Sequence, residues 1–120
     1  MKDFIVGRIK SVKYAFKGAL ILITTEHSIM VQATLGLAVT ILGFYMGISK
    51  GEWMAQTLTI AIVLCAEGLN SAIEAICDFV HPEHHEKIGK IKDVAAGAVT
   101  FTAIAALVIF CIIYIPYFTA

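Results

Sequence analysis

The sequence predicts an all-α membrane protein, in which an N-terminal interfacial amphipathic helix is followed by three transmembrane helices. Composition is the first reason: 59% of the 120 residues are hydrophobic and 15% charged, a balance that a soluble domain of this size could not hide from water. Distribution is the second. The stretches His27 to Ser49, Trp53 to Ala66 and Val94 to Ala120 contain no Lys, Arg, Asp or Glu, and each can make or begin a spanning helix of about 20 residues. The third is an acidic motif, Glu67-Gly68-Leu69-Asn70-Ser71-Ala72-Ile73-Glu74, set where the second span must continue.

The first element is read over residues 3–25. Ile5, Ile9, Val12, Phe16, Leu20 and Ile23 recur at helical spacing, flanked by Arg8, Lys10, Lys13 and Lys17. Such a helix lies in the membrane interface with its cations toward lipid phosphates; a helix packed on its own protein has the same pattern. No short apolar core with a small-residue cleavage site precedes His27, so this segment is read as retained.

The spans are read at 28–48, 53–79 and 94–116, all within a single domain of residues 1–120. Five Lys and Arg residues precede the first span, Lys50 lies between the first two, Lys87, Lys90 and Lys92 lie between the second and third, and none follows. The positive-inside rule then places the N-terminus and the 80–92 loop in the cytoplasm and the C-terminus outside. Trp53, Tyr114 and Tyr117 become outer-interface anchors and Pro116 the end of the third helix. Cys65, Cys77 and Cys111 show no paired spacing of a zinc or redox motif and are read as buried free thiols. The turn residues Lys50 and Glu52 are read as solvated. Three spans make a thin bundle, and a homo-oligomer is expected.

Chemistry concentrates on the second span. At about 100° per residue, Glu67, Asn70, Ser71, Glu74 and Asp78 share a sector roughly 100° wide. Ionisable groups at membrane depth are costly to bury and mark function by default. Counting about 1.5 Å per residue from Trp53, Glu74 comes roughly 30 Å later, at the cytoplasmic edge, and Glu67 lies about 10 Å deeper. Carboxylates with an Asn suit magnesium, which usually borrows phosphate oxygens and water, and Lys92 suits phosphate as a point charge. Together with Glu26 and Asp93 they suggest phosphoryl transfer from a nucleotide to a lipid. Gly89-Lys90 is followed by Ile91, and no glycine stands five residues before Gly89, so no P-loop is present.

The chain resembles the small trimeric bacterial lipid kinases, the diacylglycerol kinase and undecaprenol kinase branches. The blocks that carry the resemblance are the basic N-terminal helix, Lys17-Gly18, Glu26, the Glu67 to Glu74 motif, and Lys92-Asp93-Val94-Ala95-Ala96-Gly97-Ala98-Val99. The resemblance implies a homotrimer in the bacterial plasma membrane that uses ATP and Mg2+ to phosphorylate a lipid alcohol. It implies Glu67 as the catalytic base, Glu26 and Glu74 as metal ligands, and Lys92, Asp93, Lys17 and Glu74 at the nucleotide. Asn70 and Ser71 would order the site. Many undecaprenol-branch members place Asn, Arg and His where this chain has Ser28, Met30 and Gln32, and the loss of a cation at Met30 removes a phosphate or carboxylate partner.

Nucleic acid is not expected as a partner. The rival reading from another class is a non-enzymatic membrane protein whose carboxylates line a proton or divalent-cation path. It leaves Lys92-Asp93 and the basic helix without a role. The run Ala95 to Ala98 is read as a close helix contact.

Overall fold

A computed structural model describes residues 1–120, all helical apart from short connections. The order is α1 (Lys2–Thr25), α2 (His27–Met46), α3 (Lys50–Val80) and α4 (Glu86–Thr119). Helices α2, α3 and α4 are each long and apolar enough to cross a membrane. At about 1.5 Å per residue α3 and α4 exceed the roughly 30 Å hydrocarbon layer, so both have ends that project from it. They also form the most extensive pairing, with α2 laid against α3. Helix α1 buries none of its residues and leaves the bundle, giving a flat molecule of 53 × 48 × 22 Å.

The bundle is thin. Only 12 of the 120 residues are buried, so lipid or further chains must cover the remaining apolar side chains of the spans.

Local sequence explains the breaks. Between α1 and α2 a single residue, Glu26, is extended at φ −98° and ψ 112°, yet its N–H still donates to the Leu22 carbonyl and its own carbonyl accepts from Met30. The result is a tight corner. Helix α2 stops at Gly47, whose φ of +64° needs a glycine. Ser49 and Glu52 then form a reciprocal capping box that starts α3, three residues before the Trp53 start read from hydropathy. Beyond α3, the His85 side chain accepts from the Lys87 N–H and caps α4.

Four expectations change, three of them at the end of the bundle where α2 turns into α3. Glu52 is not merely solvated: besides the capping box it accepts a hydrogen bond from the Tyr117 hydroxyl at 2.7 Å. Tyr114 is no interfacial anchor. It is the most buried large side chain, 1% exposed, because its hydroxyl donates to Gln56 Oε1 at 2.6 Å and also lies 3.0 Å from the Val39 carbonyl. Gln56 Nε2 donates to that same carbonyl at 3.1 Å, tying α2, α3 and α4 together. Pro116 does not end α4, which runs on to Thr119; in a final turn its missing N–H forfeits one bond only. Of the thiols, only Cys77 is buried, while Cys65 is exposed and Cys111 intermediate.

Gly43 admits the indole of Trp53, since a Cβ there would meet it at 2.9 Å. The small-residue run on α4 differs from expectation: Ala95 is buried but Gly97 has nothing within 4 Å of a Cβ position, because successive residues of a helix point to different sides.

Candidate functional site

The acidic face of α3 spans the boundary between buried and exposed surface. Glu67 and Ser71 are each 8% exposed, Asn70 is half-buried, and Glu74 and Asp78 are exposed. This face is thus buried from Glu67 to Ser71 and exposed from Glu74 to Asp78, toward the end of the bundle that carries the corner and the α3–α4 loop. Glu67 is the buried end of that ladder.

Next to it, Asn70 donates its Nδ2 to Glu74 Oε1 at 3.2 Å. The other carboxamide atom, Asn70 Oδ1, is buried and has no partner. A buried acceptor without a donor is expensive. An oxygen acceptor and a carboxylate held together, with one lone-pair site unused, suit a hard cation that takes its remaining ligands from water and phosphate. Those residues fit magnesium in that way. Within one chain no group of three His, Cys, Asp or Glu side chains is placed to enclose an ion.

Lys92 reaches across from α4 to Asp78, Nζ to Oδ1 2.6 Å. Sequence reading placed Asp78 on the acidic sector of the second span without a partner. Opposite charges flanking the α3–α4 loop were the signal for this pair, and it fixes an ammonium one turn beyond Glu74 on the same face. With one of three N–H donors used, the ammonium keeps two for other oxygens. Asp93, the next residue, is exposed and makes no ion pair in the chain.

Glu26 stands half-buried at the α1–α2 corner. The corner is held near the ladder by a contact the sequence did not announce: a Cβ on Gly68 would come within 3.1 Å of Leu22 Cδ1. Gly68 therefore lets the last turn of α1 lie close to α3, beside Glu67. Lys17 is further back on α1 and exposed. The structure brings together Asn70 with Glu74, and Lys92 with Asp78. Asp93 and Lys17 stand apart from these pairs within the single chain.

An acidic face that begins in the open and ends within a bundle of helices long and apolar enough to span a membrane is a polar site at membrane depth. Known proteins identify which kind. The family profile of prokaryotic diacylglycerol kinase matches residues 13–114. An undecaprenol kinase of Bacillus subtilis (strain 168) is 36% identical over 107 residues, or 89% of this chain and 87% of the relative. A diacylglycerol kinase of Escherichia coli (strain K12) is 27% identical over 110 residues, 92% of this chain and 90% of the relative. Another, from Synechocystis, is 30% identical over 100 residues, 82% of this chain and 57% of the relative. The chain belongs to the prokaryotic diacylglycerol kinase family and is a membrane lipid kinase.

Proposed function

We propose that this kinase transfers the γ-phosphoryl group of ATP to the hydroxyl of a membrane lipid, diacylglycerol or undecaprenol, and releases the lipid phosphate at the cytoplasmic face. The observation that carries this reading is the graded burial of one face of α3, from exposed Asp78 and Glu74 to buried Glu67. A water-soluble triphosphate can approach its open end and a bilayer alcohol its buried end. Family membership favours this over an ion path, which needs no acceptor lipid.

Glu67 accepts the proton of the lipid hydroxyl as that oxygen attacks the γ-phosphorus. The new phosphorus–oxygen bond forms, the bond to the ADP oxygen breaks, and ADP carries away the electron pair. Lys92, aimed by Asp78, meets phosphate charge at the open end, with Asp93 and Lys17 completing the nucleotide side. Asn70 and Ser71 hold the ladder in order. Glu74 and Glu26 would hold magnesium, which when bound neutralises triphosphate charge. Most of the acceleration in such a transfer comes from positioning and charge neutralisation.

We place the N-terminus and the α3–α4 loop in the cytoplasm, following the five cations before α2 and the three in and after that loop. Helix α1 then lies along the inner surface of the bacterial plasma membrane. The sparse burial of a single chain supports a homotrimer, in which neighbouring copies cover the spans and add to the site. Purified protein, labelled ATP and a panel of diacylglycerol and prenol lipids test the proposal. Labelled lipid phosphate dependent on magnesium is expected; no labelled lipid under any metal condition overturns it.

A further inference from the structure

We infer that Leu22 is a positioning residue: by seating its side chain in the notch at Gly68, it sets the gap between the Glu26 carboxylate and the Asn70–Glu74 pair. This rests on the kinase reading and adds to it a residue that touches neither ATP nor lipid.

Helix α1 meets the rest of the chain at one short stretch. Gly18 and Leu22 are half-buried, and every other residue of α1 is exposed. They stand four apart and so share one face, which the half-buried Glu26 continues a turn later. Around Gly18 that face is open, with nothing within 4 Å of a Cβ position. At Leu22 it is closed: the leucine Cδ1 and Cδ2 lie 3.1 and 3.9 Å from where a Gly68 Cβ would stand.

The last turn of α1 passes that contact to Glu26 with little slack. The Leu22 carbonyl accepts from the Glu26 N–H at 3.0 Å, and the Glu26 carbonyl accepts from the Met30 N–H at 3.1 Å. Beyond the corner, Ile29 is 3% exposed and anchors the start of α2. Glu26 is therefore held between an apolar anchor on each side.

Helix register shows what Glu26 is held against. Gly36 faces Ile60 and Val39 faces Gln56, and the same antiparallel register carried back along α2 brings Glu26 level with the Asn70 turn of α3. There Asn70 Oδ1 is buried without a partner and Nδ2 donates to Glu74. The oxygens that fit magnesium thus come from two elements, α3 and the corner, and the Leu22–Gly68 contact spaces them.

Size at the notch decides the spacing. A glycine inside a helix costs helix propensity, and here the missing side chain lets α1 approach. A side chain at residue 68 would push Leu22 and the corner outward, while α2, α3 and α4 keep their packing because α1 supplies no buried residue. A misplacement of about 1 Å can cost about 10²-fold in rate.

The test separates alignment from stability, using the full chain in detergent. Gly68→Leu is expected to lower kcat on labelled lipid about ten- to a hundredfold, with KM for lipid and the thermal midpoint unchanged. Manganese(II), followed by its electron paramagnetic resonance signal with a nonhydrolysable ATP analogue, should bind several-fold more weakly. Adding Leu22→Ala to Gly68→Leu exchanges the large and small partners across the contact and should recover most of both losses. Unchanged kcat and manganese binding in Gly68→Leu overturns the role of Leu22, as does a loss that Leu22→Ala deepens. A fall in thermal midpoint that accounts for the lost rate also overturns it, by making the contact structural only. An unsubstituted protein that phosphorylates no lipid removes the kinase reading itself, and manganese binding then still tests the spacing.

Discussion

The two ends of the bundle both bury polar side chains, and they do so in opposite ways. At the end carrying Trp53, the Gln56 carboxamide, the Tyr114 hydroxyl and the Val39 carbonyl form a closed set, and Glu52 caps α3 while accepting from Tyr117. At the other, Glu67 is buried, Asn70 Oδ1 has no partner, and Lys92 uses one donor of three. Closed networks hold helices together. Open ones keep donors and acceptors free for a ligand, and under the function proposed above the difference separates structural from catalytic polarity within a single chain.

The contrast is broken most severely by Glu67→Gln. Removal of the proton acceptor should lower turnover by about 10²–10⁴-fold, with nucleotide binding retained, as measured by lipid phosphorylation beside equilibrium binding of a labelled ATP analogue. If turnover survives, Glu67 is no base. Lys92→Ala should come next, raising KM for ATP by more than its partner does: Asp78→Asn is expected to raise that KM a few-fold, as the loss of a solvent-exposed ion pair does, and Asp78→Glu to restore most of it. A staple without a role at the nucleotide would instead lower the thermal midpoint and leave KM alone.

The closed end should answer in stability. Tyr114→Phe leaves the Gln56 oxygen without its donor and is expected to cost about 1–3 kcal/mol, read by thermal unfolding in detergent, with the ATP KM unmoved. Smallest of all, Ser49→Ala removes an N-cap worth about 1 kcal/mol. An activity loss in either variant at unchanged stability would erase the distinction between the two ends.

The spans were legible because apolar runs of this length have few other uses, and the acidic ladder because carboxylates inside such a run are conspicuous. Glu67 and Ser71 were expected to face inward and do. What escaped the sequence depends on partners far along the chain. Tyr114 and Tyr117 matched the composition of an interfacial belt, yet whether a tyrosine snorkels or is buried depends on whether an acceptor meets it, and Gln56 and Glu52 lie 58 and 65 residues away. Gly68 had no reading of its own inside the acidic motif. Only the approach of Leu22 shows why a side chain is missing there. Asp78 likewise gains its meaning from Lys92 across a loop.

Helix α1 has no fully buried residue and touches α3 only near its last turn, although it displays Phe4, Ile5, Ile9, Val12, Phe16 and Leu20. Its angle is therefore dictated by its surroundings, and its final turn transmits that angle through Leu22 to Gly68 and through the corner to Glu26. A force applied along that long arm by whatever covers it would therefore be felt at Leu22 and Gly68, next door to Glu67.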